Sequence, residues 1–340
     1  MVPGDAGTLG RMELAERLLQ GDPRALARAI SMVERRDPEL PELLAAVRGR
    51  AGAAHVVGIT GPPGGGKSTL ADGLIERWRA QGRSIGVLAC DPSSPFSGGA
   101  ILGDRVRMQR HTLDRGVYIR SMASRGHLGG LASATREAIR LIDASGRAQC
   151  LLETVGVGQS ELEVMHAADT VVLVITPLTG DGVQLIKAGI MEIPDVIVLN
   201  KADLPGADRA LKELRALVHE TAHSGVPRRG WHRGDIAGSI DPARWEPPVL
   251  RTVSTTGEGL DELVAAIDDH RRHLDGSGEL QRRRADRFRA EVEAIVAERA
   301  VQRVRESLPR GTIDVPGNGD LSRLDPYAAA AAILDRTTRG

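Results

Sequence analysis

The run Gly61-Pro62-Pro63-Gly64-Gly65-Gly66-Lys67-Ser68-Thr69 fits the pattern G-x-x-x-x-G-K-[ST]. Glycines let a backbone wrap closely, so that successive N–H groups point at phosphate oxygens. A helix starting at the end of such a loop adds its positive pole. In that setting Lys67 reaches the β- and γ-phosphates of a nucleotide and the Ser68 hydroxyl ligates Mg2+. A second group, Asn200-Lys201-Ala202-Asp203, closes an apolar run. A carboxylate there accepts from N1–H and the exocyclic amine of guanine, whereas adenine offers neither donor, and the aliphatic stem of Lys201 can lie over the base. A third group, Ser254-Thr255-Thr256-Gly257, ends a further apolar run, where a backbone loop would lie near the base O6. The expected ligands are GTP or GDP with Mg2+.

Acidic residues recur where a metal and a reacting water would sit. Asp91 closes a strand-like run in Asp91-Pro92-Ser93-Ser94, and Glu153 closes another in Glu153-Thr154-Val155-Gly156-Val157-Gly158-Gln159. Functional groups in open α/β sheets gather beyond the carboxyl ends of the strands, and carboxylates there hold Mg2+ directly or through water. Asp104, in the segment GGAILGDRVRM, completes the set. Lys67, Asp91, Asp104 and Glu153 are the candidate catalytic residues, and Ser68, Asp91, Asp104 and Glu153 the candidate metal ligands. Which carboxylate ligates and which orients water stays open. His127, in Gly-His-Leu-Gly-Gly, is a candidate switch residue.

The elements that must position these groups follow from periodicity. Short apolar runs at 55–60, 84–91, 148–153, 170–176, 195–200 and 249–254 predict strands. Helical patterns follow at 67–82, 130–145, between 176 and 195, and at 259–275. Strands that alternate with helices and are apolar throughout form a parallel sheet covered on both faces. The polar stretch from about 92 to 129 is too long to be an idle connection, and 222–247 reads as a loop or insertion. Residues 10–48 repeat Leu, Ile and Val at three- and four-residue steps, broken at Asp22-Pro23 and Asp37-Pro38. A charged helix spans 279–308 with Phe288, Val292, Val296, Ala300 and Val304 on one side, and 325–336 forms a short capped helix. The fold class is α/β, a P-loop NTPase with a mostly parallel sheet. Its expected domains are an N-terminal helical extension (1–52), a nucleotide-binding domain (53–275) and a C-terminal helical arm (276–340).

Composition narrows the function. The 340 residues carry 45 Lys plus Arg against 45 Asp plus Glu, a balance that argues against binding nucleic acid by phosphate neutralisation. Aromatics at 2% leave no stacking platforms for single strands. Two cysteines, Cys90 and Cys150, make neither a disulfide framework nor a Cys-rich zinc site and read as buried thiols. No signal peptide or membrane-spanning run is evident, which points to a cytoplasmic protein without membrane contact.

The segments GITGPPGGGKST, DPSSPFSGGAILGDRVRM, SRGHLGG, ETVGVGQSE, DGVQLIKAGIMEIPDVIVLNKAD and DPYAAA together resemble the MeaB/ArgK family of methylmalonyl-CoA mutase-associated GTPases. The resemblance implies Mg2+-dependent GTP hydrolysis, a homodimer embraced by the C-terminal arm, and a chaperone role. The client it implies is an adenosylcobalamin-dependent acyl-CoA mutase, whose cofactor loading the GTPase gates. It places Glu153 as the Walker B carboxylate, Gln159 in a second switch, and Asp181 within a third switch at about 177–188. Gly180-Asp181-Gly182 departs from the acidic pair common there, and the stretch 222–240 is unusual. Two rivals share the class. A transport-linked kinase needs a phosphoacceptor pocket that no motif marks. A nickel-insertion GTPase needs His or Cys ligands, but His55, His111, His127 and His166 are scattered and no CxxC occurs.

Overall fold

A computed structural model describes residues 5–91, 109–111, 113–123, 130–154, 165–177, 194–223 and 245–307, with 325, 327 and 331. The chain forms two compact units, residues 1–287 and 288–340. In the first, seven strands of the described residues make one parallel sheet: β1 (His55–Thr60), β2 (Ile85–Asp91), β3 (Val117–Ala123), β4 (Gln149–Thr154), β5 (Thr170–Ile175), β6 (Val196–Asn200) and β7 (Val249–Thr252). Their order is β3-β2-β4-β1-β5-β6-β7. The chain moves outward to one side of β1 and then to the other, so the loop after β1 lies where the winding reverses, the usual ligand crevice of such sheets.

Every residue of β1, β4, β5 and β6 is buried, which is why these strands read as unbroken apolar runs. Alternate side chains serve opposite faces. Val57, Ile59, Val87, Leu151 and Val172 pack on α4 (Lys67–Ala80) and on a later helix, Leu260–Ser277, with Trp78 fully buried between them. Val56, Leu88, Cys90, Cys150 and Leu152 face α5 (Gly130–Ala144). Behind α5 lie α1 (Asp5–Leu19), α2 (Pro23–Arg35) and α3 (Leu40–Val47), which share that core. A third cluster joins α6 (Ala207–His223) to Leu173, Ile197 and Leu199. The helices α7 (Leu260–Ser277) and α8 (Glu279–Ser307) follow β7. Both cysteines are free and buried, and burial pushes the Cys90 thiol up to about 12.

The break at Asp22-Pro23 is a helix start, with the Asp22 carboxylate accepting from Arg24 N–H at 2.8 Å and Ala25 N–H at 3.4 Å. At the second break Asp37 caps a turn through Glu39 N–H (3.0 Å), and the helix begins later, at Leu40. The main correction is β3, which lies inside the polar stretch 92–129, where the apolar runs predict no strand. Among the described residues it is an edge strand, paired with β2 alone. Between its inward Tyr118 and Met122 stands Arg120, which donates to Glu34 (2.5 Å) and Ser31 (3.0 Å) of α2. A paired charge at an inward position hides the alternation. Helix α6 was likewise unread. The helices expected at 176–195 and 325–336 lie largely outside the described residues, although the Asp325 carboxylate does accept from Tyr327 N–H at 3.0 Å.

The amino ends of the strands hold a buried ionic cluster. Asp169, fully buried just before β5, accepts from Val56 N–H (3.1 Å), Arg284 (2.8 Å) and Arg287 (2.5 Å). Burial alone would raise its pKa, but the Arg287 and Arg284 guanidiniums outweigh that and hold it well below the carboxylate range. Asp195, just before β6, takes Arg283 at 3.2 Å. Beside it the Thr170 hydroxyl lies 2.7 Å from His55 Nε2 and 2.8 Å from His270 Nδ1. Burial lowers both histidines against the pull of nearby aspartates, His55 to about 4. A folded pKa below the ordinary 6.5 means that the unfolded chain takes up the proton first. Stability from His55 is therefore complete above pH 6.5 and falls as pH drops toward 4, by about 1.4 kcal/mol per pH unit, and His270 acts in the same direction. Urea unfolding from pH 7.5 to 4.5 should show this slope, and His55→Gln should flatten it. A slope unchanged by that substitution would contradict the assignment.

Candidate functional site

The loop from Gly61 to Gly66 joins β1 to α4 at the carboxyl edge of the sheet. Two of its glycines are required by their surroundings. Gly61 has φ 140°, and a Cβ there would sit 2.0 Å from the Val174 carbonyl oxygen of β5. Gly66 has φ 89°, and a Cβ there would sit 2.3 Å from Asn200 Nδ2. Gly66 starts α4, whose first N–H groups have no helical carbonyl before them and form the anion-attracting pole. Lys67 is buried, and its ammonium donates to the Gly61 (2.8 Å) and Pro62 (3.0 Å) carbonyls. The positive charge thus lies inside the loop it serves. Beside it Ser68 Oγ donates to Glu153 Oε1 at 2.5 Å, bringing the start of α4 to the end of β4.

Asn200, at the end of β6, joins three segments. Its amide donates to the Gly65 carbonyl at 2.8 Å. Its Oδ1 accepts from Thr252 Oγ1 (3.0 Å), Ser254 Oγ (2.7 Å) and Ser254 N–H (3.2 Å). Asn200 is buried, while the next residue, Lys201, is exposed in a left-handed conformation with φ 56°. The turn closes with Leu204 N–H on Lys201 O (3.0 Å) and leaves Asp203 exposed. The loop 254–257 curls back through Thr256 N–H (3.1 Å) and Gly257 N–H (2.9 Å), both on Val253 O. Two exposed loops and the phosphate-type loop therefore share one edge, tied by a single side chain.

The structure brings together Gly61 to Thr69, Glu153, Asn200, Lys201, Asp203 and Ser254 to Thr256. It places Asp91 at the last position of β2, the neighbour of β4, where Cys90 pairs with Thr154. Asp104, His127, Gln159 and Asp181 lie outside the described residues. Thr252 was missed. A lone threonine ending a strand gives no signal, and its bond to Asn200 spans 52 positions of sequence. Cation fit rests on the donor set. A hydroxyl and a carboxylate in contact are hard oxygens of the kind Mg2+ takes. Among the described residues no group of three or more His, Cys, Asp and Glu could hold a metal by itself.

The arrangement can hold a polyphosphate on backbone N–H groups and one ammonium, with a heterocycle between two loops. Gly66→Ala should lose at least about tenfold in nucleoside triphosphate affinity, because a methyl group there displaces both the loop and Asn200. Titration with a fluorescent nucleotide, alongside circular dichroism to confirm folding, checks this. Unchanged affinity in a folded variant would contradict it.

A family model described as "Methylmalonyl Co-A mutase-associated GTPase MeaB" matches residues 26–308. A protein of Pyrococcus horikoshii named as a GTPase is 46% identical over 326 residues, covering 95% of this chain and 97% of that one. GTPase ArgK of Escherichia coli is 37% identical over 273 residues, 79% of this chain and 78% of that one. Among solved structures, an LAO/AO transport system kinase superposes with a TM-score of 0.63 at 26% identity over the whole of both chains. The motifs, the parallel sheet and these matches agree: the chain is a GTPase and belongs to the family of methylmalonyl-CoA mutase-associated GTPases, MeaB.

Proposed function

We propose that this GTPase is a chaperone for an adenosylcobalamin-dependent acyl-CoA mutase, using GTP binding and hydrolysis with Mg2+ to gate cofactor loading. The observation that supports the nucleotide part is the Asn200 tie, which sets the phosphate loop and the two base loops at one edge. The family description supports the mutase part.

Guanine is read by Asp203, whose exposed carboxylate accepts from two ring-edge donors that adenine lacks. Of the N–H groups in the loop 254–258, those of Ser254, Thr256, Gly257 and Glu258 bond within the protein. Among the described residues none accepts from the Thr255 N–H, and it is this group that meets the base O6. Lys67 exchanges its loop carbonyls for the β- and γ-phosphates. Ser68 and Glu153, with Asp91 and Asp104 as further carboxylates, would hold Mg2+, which would supply charge neutralisation at the phosphate oxygens. Water attacks the γ-phosphorus, the bond to the β–γ bridging oxygen breaks, and GDP and inorganic phosphate leave. Lys67 and the loop N–H groups face the charge that gathers on the bridging oxygen. Gln159, His127 and Asp181 serve as switch residues that a partner reorders, so hydrolysis is slow without one.

The chain acts as a homodimer in the cytoplasm. Phe288 (63% exposed), Val292 and Val296 (61%) make an apolar stripe at four-residue spacing on α8, and covering it in a second copy is the role assigned to the C-terminal arm.

The test mixes the protein with a purified adenosylcobalamin-dependent acyl-CoA mutase. Co-elution on gel filtration that depends on the bound nucleotide, and at least about tenfold faster phosphate release from GTP, are expected. No co-elution with any such mutase, in either nucleotide state, would overturn the chaperone reading.

A further inference from the structure

The base-side loop 254–257 is held at its start by Asn200. Its end is held by a residue that belongs to no nucleotide motif. Arg77 lies on α4, the helix that the phosphate loop opens. Its NH2 donates to the Gly257 carbonyl at 2.8 Å, and its Nε donates to Asp261 Oδ1 at 2.9 Å, in the first turn of α7. Its NH1 reaches back to the Gly73 carbonyl at 3.4 Å. One planar guanidinium thus spans α4, the loop and the start of α7, an arrangement an ammonium cannot reproduce.

The surroundings are built around this contact. Gly257 has φ 85°, and a Cβ there would sit 2.8 Å from Arg77 NH2. Gly73 lets the two helices close, because a Cβ there would meet Leu260 Cδ1 at 2.4 Å. Leu260 is buried in the core shared with Leu70 and Leu74. The seam between α4 and α7 is therefore apolar beneath and bridged by Arg77 at the loop. Only 21% of the Arg77 side chain is exposed, so its bonds are partly shielded from water.

We infer that Arg77 is a positioning residue for recognition of the purine 6-oxo group. By fixing Gly257 to the helix that carries the phosphates, it sets the distance between the phosphate site and the Thr255 N–H. The inference rests on the guanine reading above and adds the element that makes the loop rigid enough to discriminate. Arg77 has no part in the Asp203 contact, because Asp203 lies in the other base loop, tied through Asn200. Loss of Arg77 therefore weakens discrimination at position 6 of the base and spares discrimination at position 2.

Three diphosphates separate these contacts: GDP, IDP (which lacks the 2-amino group) and 6-thioguanosine diphosphate (which keeps N1–H and the 2-amino group but puts a weakly accepting sulfur in place of the 6-oxo oxygen). Dissociation constants are measured for the full chain and for Arg77→Ala, Arg77→Lys and Asp261→Asn, with circular dichroism on each. Arg77→Ala should lose about tenfold of the preference for GDP over the 6-thio analogue and keep its preference for GDP over IDP. Arg77→Lys, with one donor reach in place of a fork, should lose part of it. Asp261→Asn, which leaves the Gly257 bond in place, should lose about twofold. If Arg77→Ala fails to fold, the Lys variant decides. A 6-oxo preference retained by the folded Arg77 variants, or both preferences lost in parallel, overturns the inference. A parent chain that shows no 6-oxo preference overturns the reading of the loop itself, a separate result.

Discussion

One buried amide holds the site together. Asn200 donates to the loop that would wrap phosphates and accepts from the loop that would face the base, so neither can move without the other. A buried polar side chain with all its partners in place is rigid, and the same side chain with partners missing is costly. The tie is thus strong only when both loops are in position, which makes their mutual geometry a property of the fold rather than of the ligand. Gly66 carries the complementary constraint, because its missing Cβ is the space that Asn200 Nδ2 occupies.

The other end of the sheet does a different job with similar physics. Asp169 and Asp195 stand immediately before β5 and β6 and draw in Arg283, Arg284 and Arg287. Arg284 also caps the carbonyls of Gly52 and Ala54, at the entry to β1. Asp143 of α5 accepts from Ala53 and Ala54 N–H at 3.2 and 2.9 Å. The starts of the central strands are thereby pinned by charges that burial makes costly to break. Their carboxyl ends are left to the loops that bind. Chemistry and anchoring occupy opposite edges, as parallel sheets allow.

Much of this could be read from the chain, and the limits have physical causes. Phosphate and base motifs are contiguous, so Gly61 to Ser68 and Asn200 to Asp203 were visible as strings, and strands buried on both faces announced themselves as unbroken apolar runs. Strand β3 did not, because Arg120 breaks its inward face and finds its partner on α2. The cluster at Asp169 was invisible for a related reason. Arg283, Arg284 and Arg287 sit in a helix whose acids nearly balance its arginines, and nothing local distinguishes a pinned arginine from a solvated one. Thr252 and Arg77 act on residues that only folding brings near. Asp104, His127, Gln159 and Asp181 lie outside the described residues.

The central claim is that two loops at one edge grip guanosine triphosphate jointly. Its most direct measurement is competition against a labelled guanine nucleotide with Mg2+, using GTP, ATP and XTP on the parent chain and on Asp203→Asn. The account predicts that GTP outcompetes ATP by at least about a hundredfold on the parent. It also predicts that Asp203→Asn favours XTP, because an amide donates to the 2-oxo group where a carboxylate accepted from the 2-amino group. ATP binding as tightly as GTP, or a variant that keeps the parent's order of preference, would contradict it.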